Sequence, residues 1–162
     1  MYFQQSDILH GLSNRFVKQF MNITTRESHA GGTTLFERGD KADNFYILLK
    51  GRVKLTVGES GPVVYTVSHP GEAFGWSALI GRDVYTASAL CAAECKTLRI
   101  ERAELLKIMD ADPAEGMTFF KNLAATLGKR LLMSYKMMSD RSAVQGSASF
   151  GSGQVLDSSL QS

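Results

Sequence analysis

The first thirty residues space their apolar side chains as a helix does. Ser13 is a residue type favoured at a helix N-cap, and Phe16, Val17 and Phe20 after it fall on one helical face. The pair Gly31-Gly32 interrupts this pattern. We therefore predict an N-terminal helical segment over residues 1–32.

The spacing becomes that of strands between residues 33 and 100. Continuous apolar runs predict buried strands, and alternating apolar and polar residues predict half-buried ones. Short strands at such close spacing, with turn residues between them, indicate a barrel or a sandwich. The predicted strands are residues 45–49, 53–57, 63–67, 86–92 and 96–100, with turns at 50–52 and 58–62.

Helical spacing returns after Ile100. A short helix over residues 102–109 is expected to stop near Asp112-Pro113, and a longer helix is expected from Met117 to about Met138. Residues 101–140 are therefore predicted to form the C-terminal helices of the same domain.

The longer helix repeats a set of residues at alternating steps of four and three, the spacing of a seam between paired helices. Pairing through this seam predicts a homodimer. The alternative is that the stripe packs on the strands of its own chain. The seam consists of Phe120, Ala124, Leu127, Leu131, Ser134 and Met138.

The chain ends in a serine- and glycine-rich segment. Residues 142–162 contain seven serines and three glycines but no lysine or arginine. This composition predicts a flexible tail over residues 141–162.

Composition narrows the class of protein. Hydrophobic residues make up 44% of the 162 residues and charged residues 21%, as in ordinary globular domains, and the formal net charge of +2 carries no nucleic-acid footprint. The cysteines Cys91 and Cys95 are expected to be buried thiols, and a reducing compartment suits so few of them. With neither a signal peptide nor a bilayer-spanning run in the sequence, we expect a cytoplasmic protein that does not contact a membrane.

Three segments carry a resemblance to a known family. They are "ERGDKADNFYILLKGRVKL" from Glu37, "HPGEAFGWSALI" from His69 and "CKTLRIERAELLKIM" from Cys95. Together they resemble the cyclic-nucleotide-binding domain of catabolite-activator-type regulators, cyclic-nucleotide-dependent kinases and gated channels. The resemblance spans about Leu9 to Met138. It implies a mainly β fold with flanking helices: a cupin-like β-roll (jelly roll) followed by a short helix and a long C-terminal helix.

The resemblance also implies a phosphate-binding cassette. In the family, a glutamate after the Phe-Gly turn binds the ribose, and an arginine nine residues later pairs with the phosphate. Here the turn is kept as Phe74-Gly75, but Trp76 stands at the glutamate position and Tyr85 at the arginine position. Neither ring offers the charged fork with which arginine holds phosphate.

The candidate ligand site follows from the same resemblance. Arg82, in a turn, could reach back to the cassette, and Arg130 is near the helix position that closes over the base in the family. The candidate residues are Phe74, Gly75, Trp76, Ser77, Ala78, Arg82, Tyr85, Thr86, Ala87 and Arg130.

These observations favour a regulatory or protein-interaction module whose nucleotide site is degenerate or repurposed, with its cavity filled by the two aromatic rings. One alternative is a working receptor for cyclic AMP or cyclic GMP that uses the backbone donors of Gly75 to Ala78 with Arg82. Another is a sensor of a more apolar effector held between Trp76, Tyr85 and the long helix. The favoured interpretation expects no bound cofactor, and its partner would be a second copy or another protein.

Other functions are not expected from the sequence. His10, His29 and His69 lie in separate segments, so a metal site is not expected. The chain has no nucleophile motif and no paired catalytic carboxylates, which argues against an enzyme. The segment after the long helix offers neither two further helices nor a basic face, so DNA binding by this chain alone is not expected.

Overall fold

The computed structural model describes residues 6–58 and 60–159. The chain divides into two units, Met1–Leu123 and Ala124–Ser162. A short 3-10 helix, Asp7–Leu9, precedes helix α1, Asn14–Asn22. The Ser13 hydroxyl caps α1 by accepting a 3.2 Å hydrogen bond from the Phe16 backbone N–H.

Eight antiparallel strands form two four-stranded sheets, which confirms the predicted β-roll. The first sheet has the order β1-β8-β3-β6 and the second the order β2-β7-β4-β5. The strands are β1 (Thr24–His29), β2 (Thr34–Phe36), β3 (Asn44–Lys50), β4 (Val53–Thr56), β5 (Val63–Val67), β6 (Ala73–Phe74), β7 (Ser88–Cys91) and β8 (Cys95–Glu101).

Strand β1 corrects the prediction that residues 1–32 are helical throughout. It pairs with β8 from Thr24 opposite Ile100 to His29 opposite Cys95. Its sequence, Thr-Thr-Arg-Glu-Ser-His, has no apolar residue whose alternation could have indicated a strand. Backbone pairing to β8 at the edge of the sheet therefore specifies this strand, and hydrophobic patterning does not.

The turn between β3 and β4 depends on one glycine. Gly51 has φ +99°, and a Cβ at this position would lie 2.3 Å from the Glu94 carbonyl oxygen. Only glycine combines this backbone conformation with such a close approach.

Helices cover the first sheet. In the first unit, the ring of Phe119 lies 6.2 Å from that of Phe20 in α1 and 6.3 Å from that of Phe45 in β3, measured between centroids. The Asn122 side chain donates hydrogen bonds of 3.0 and 2.7 Å to the backbone oxygens of Ile8 and His10. These contacts fix the N-terminal segment against the start of the last helix.

Two helices follow the strands, α2 (Arg102–Ala111) and α3 (Pro113–Ser159). Helix α3 begins four residues before the predicted Met117, because Pro113 suits the first turn of a helix. It also continues past Met138, through much of the segment predicted as a tail. No proline follows Pro113, and serine and glycine lower helix propensity without removing a backbone donor.

The flexibility assigned to residues 141–162 stays a prediction, and residues 160–162 lie outside the described part. Within that part, no helix combines the length and apolarity needed to cross a lipid bilayer.

Candidate functional site

The cassette begins where β6 ends. Gly75 takes the left-handed conformation, with φ +75°, and caps a short 3-10 helix, Trp76–Ala78. A Cβ on Gly75 would lie 3.2 Å from the Asn44 carbonyl oxygen and 3.3 Å from the Tyr46 ring. The glycine of the Phe-Gly turn is thus required by both conformation and packing, whether or not a ligand is bound.

Backbone donors in this turn already have acceptors. The Ala78 N–H donates to the Gly75 carbonyl at 3.3 Å, and the Leu79 N–H donates to the Trp76 carbonyl at 2.9 Å. An anion bound at this turn would have to use other N–H groups or compete with these bonds.

Tyr85 turns inward and is only 4% exposed. Its hydroxyl donates to the Asn44 carbonyl at 2.5 Å and accepts from the Asn44 backbone N–H at 3.2 Å. Burial raises the pKa of this phenol above its ordinary value, so the hydroxyl keeps the proton that it donates. The side chain at the family's arginine position therefore satisfies the protein's own backbone.

The ring of Tyr85 belongs to an aromatic cluster in the core. It stacks on Phe36 with centroids 3.7 Å apart and planes 14° apart. Tyr46 and Phe74 stack at 5.2 Å, and Phe36 lies 5.7 Å from Tyr46. Stacked rings of this kind contribute about 0.5–1.5 kcal/mol per pair beyond the burial of their surface.

A cavity of about 20 Å³ remains beside this cluster. That volume has room for about one water molecule. Its lining consists of Phe36, Leu55, Gly75, Trp76, Ser77, Tyr85, Thr86 and Ala87.

Six of the sequence-derived candidates line this cavity: Gly75, Trp76, Ser77, Tyr85, Thr86 and Ala87. Phe74 and Ala78 are instead buried in the core, and Arg82 is exposed in the loop before Tyr85. Arg130 lies on α3 in the second unit.

Sequence reasoning missed three residues that shape the site, Phe36, Leu55 and Asn44. Leu55 could have been found, because the alternation in β4 turns it inward. Phe36 belongs to a strand of three residues, too short for a clear alternation. Asn44 takes part through its backbone, which no side-chain motif reveals.

Asn44 also joins the cassette to a half-buried ion pair between strands β1 and β8. Its side-chain oxygen accepts a 3.1 Å hydrogen bond from the Arg99 guanidinium, which also donates to Glu27 at 2.7 Å. The bond to Glu27 is the main cause that raises the pKa of Arg99. One asparagine thus meets Tyr85 through its backbone and this charge pair through its side chain.

The predicted helix seam is mostly exposed. In the first unit, α3 buries Phe119 and Leu123, whereas Phe120 is 37% exposed. The seam residues of the second unit are exposed, apart from the half-buried Leu127: Ala124, Leu127, Leu131, Ser134 and Met138.

Comparison with known proteins agrees with this architecture. The family model for the cyclic nucleotide-binding domain matches residues 26–112. The match begins in β1 and ends just after α2, so it includes the whole cassette.

Curated relatives contain this domain in longer chains. The cGMP-dependent protein kinase egl-4 of Caenorhabditis elegans is 28% identical over 63% of this chain, which spans 14% of the kinase. Rap guanine nucleotide exchange factor 3 of Mus musculus is 32% identical over 65% of this chain, which spans 12% of that protein. The Cyclic AMP receptor protein of Thermus thermophilus is 28% identical over 78% of this chain and 57% of its own.

Solved structures share the fold. A protein from Geobacter metallireducens GS-15 is 31% identical with a TM-score of 0.69, covering 76% of this chain and 91% of its own. A cyclic nucleotide-binding domain from Methylobacillus flagellatus has a TM-score of 0.75 over 86% of this chain and 83% of its own; at 18% identity it supports the fold alone.

Proposed function

The chain belongs to the cyclic nucleotide-binding domain family, and from this membership we propose that it is a regulatory and protein-interaction module whose nucleotide site is filled by its own side chains. The observation that carries the proposal is the cavity of about 20 Å³ at the cassette. Pockets that bind small molecules usually measure about 300–1,000 Å³.

The contacts of Tyr85 support a site that is permanently filled, and not one that opens easily when a nucleotide binds. A nucleotide phosphate at this position would have to displace a buried ring stacked on Phe36. It would also break two hydrogen bonds to the Asn44 backbone. Leaving such buried groups unpaired costs about 1–3 kcal/mol each, which the ligand would have to offset.

The missing charges weaken nucleotide binding further. A hydrogen bond to a charged group contributes about 1.5–3 kcal/mol, and the cassette lacks both the arginine and the glutamate that its family would use. Losing both contacts lowers the affinity by roughly two to four powers of ten.

We propose that the module works as a homodimer paired through the seam of α3. The exposed Leu131 and Met138 support this, since pairing would bury them. In the family mechanism, a pocket event moves the cassette and then the helices. With the pocket filled, the module would act without a cofactor, as a fixed scaffold that presents a surface to a protein partner.

Calorimetry with cyclic AMP and cyclic GMP tests the proposal. We expect no binding below millimolar concentration for the native chain. The double variant Trp76→Glu/Tyr85→Arg restores both charges and removes both rings, so we expect it to gain at least tenfold in affinity. Thermal unfolding of the variant checks that it still folds.

A working receptor would give the opposite result. If calorimetry gave a micromolar dissociation constant for the native chain, and binding were lost in Arg82→Ala, the filled site would be refuted. Binding would then be assigned to the cassette turn with Arg82. A change in Trp76 fluorescence with flat apolar metabolites, in the absence of nucleotide binding, would instead favour an apolar effector.

A further inference from the structure

The second unit carries more exposed apolar surface than one seam explains. Residues 131–138 read Leu-Leu-Met-Ser-Tyr-Lys-Met-Met, and six of these eight side chains are large and apolar. Their exposures are 51% for Leu131, 66% for Leu132, 54% for Met133, 53% for Tyr135, 56% for Met137 and 57% for Met138. Exposed apolar surface on this scale marks an interaction site.

Helix geometry places these residues on different sides of the helix, with Tyr135 at about 40° and Leu132 at about 100° from Leu131. At 3.6 residues per turn, Met138 falls within about 20° of Leu131 around the helix axis, on the seam. Met133, Met137 and Val144 fall at about 200°, 240° and 220° from Leu131, close to the opposite side. We call these three residues the methionine stripe. A partner helix paired along the seam cannot cover it.

Charged side chains border the methionine stripe. Lys129, Lys136 and Asp140 fall at about 140–180° from Leu131, on one side of it, and Arg130 and Arg141 at about 260–280°, on the other. Arg130 is half-buried and the other four are exposed. The border thus has four cations against one carboxylate, so the stripe is an apolar strip with a basic rim.

We propose that the methionine stripe docks an amphipathic helix of another protein, one whose apolar face is flanked by aspartate or glutamate. An acidic flank complements the basic rim, and methionine adapts its shape to varied apolar surfaces. A second copy of the stripe would set cations against cations. A lipid surface fits less well, because helices that lie on membranes present a broad apolar face, whereas this stripe covers only about 40° of the helix.

This inference rests on the proposed function only in assigning the module a protein partner. It does not depend on the state of the cassette. A nucleotide-binding result would overturn the filled site and leave the methionine stripe untouched.

Two synthetic peptides with the same leucine repeat test the docking surface. One has glutamate on both flanks of its apolar face and the other has lysine, and binding is followed by fluorescence anisotropy. We expect the glutamate peptide to bind at least tenfold more tightly, and its affinity to fall as salt is raised. The double variant Met133→Gln/Met137→Gln should weaken binding at least tenfold. Leu132→Gln, a matched change outside the stripe, should leave it unchanged.

Several results would overturn the inference. Equal binding of the two peptides, no binding of either, or full binding by the methionine double variant would each do so. Loss of the dimer in that variant, measured by light scattering, would assign the stripe to self-association. Sedimentation of the protein with phosphatidylserine vesicles, in the absence of peptide binding, would assign the stripe to lipid.

Discussion

Large side chains are buried at the cassette but exposed on the part of α3 that lies in the second unit. At the cassette, Tyr85 is buried, stacked and hydrogen-bonded at its hydroxyl. In α3, Tyr135 has a similar ring but is 53% exposed. A large side chain is thus buried in the region that the family motif marks for a ligand, while large apolar side chains are exposed in a region without a motif.

This contrast shows that a family motif can be kept in the backbone without its ligand-binding role being kept. The turn at Gly75 keeps the family's backbone, because that backbone is needed to pack against Asn44 and Tyr46. A kept turn is therefore consistent with a lost ligand. Large apolar side chains of α3 such as Leu132 and Met133 are exposed instead, which is the reason for proposing a docking surface there.

Truncating each of the two tyrosines to alanine is the strongest test of the difference between the buried and the exposed region. Tyr85→Ala removes a buried aromatic ring and leaves the Asn44 backbone groups unpaired, so we expect unfolding free energy to fall by about 3–5 kcal/mol. Tyr135→Ala should change it by about 0.5 kcal/mol or less, as surface substitutions usually do. Urea unfolding followed by circular dichroism measures both values. Equal losses in the two variants would show that Tyr85 does not act as a core residue.

Much of the fold could be predicted from the sequence. The apolar runs placed five of the eight strands and both C-terminal helices, because their side chains alternate or repeat against a core. Strand β1 was missed since its polar residues pair through the backbone, and β6, with two residues, is too short for a pattern.

The site was only partly predictable. Spacing from the Phe-Gly turn identified Trp76 and Tyr85 as the substituted positions. It could not show that Tyr85 bonds to Asn44 or stacks on Phe36, since those residues are 41 and 49 positions away in the sequence. Contacts of that range depend on how two sheets pack, which local patterns do not encode.

A smaller effect is expected on dimerisation when the exposed helix seam is substituted. Leu131→Gln places a polar group in the proposed dimer interface, and we expect it to weaken dimerisation at least tenfold, or about 1.4 kcal/mol. Lys136→Gln lies outside the seam and should leave the dimer unchanged. Sedimentation equilibrium measures both constants. A chain that is monomeric at every concentration, or a Leu131→Gln dimer of native affinity, would contradict the seam.

The smallest expected effect occurs at alkaline pH and involves the thiol of Cys91, which is buried in the same core as Tyr85. Burial, together with the hydrogen bond and the like charge that Cys91 shares with Cys95, raises the pKa of Cys91 from 9.0 to about 12. Because the folded state holds this proton more tightly than the unfolded state, its stabilising contribution is complete below pH 9.0 and is lost as pH rises toward 12. We expect the melting temperature to fall between pH 9.0 and 10.5, and to fall less in Cys91→Ala, measured by circular dichroism. An equal fall in both proteins would show that Cys91 contributes nothing, and that the alkaline loss comes from other buried acids such as Tyr85, whose pKa is raised in the same direction.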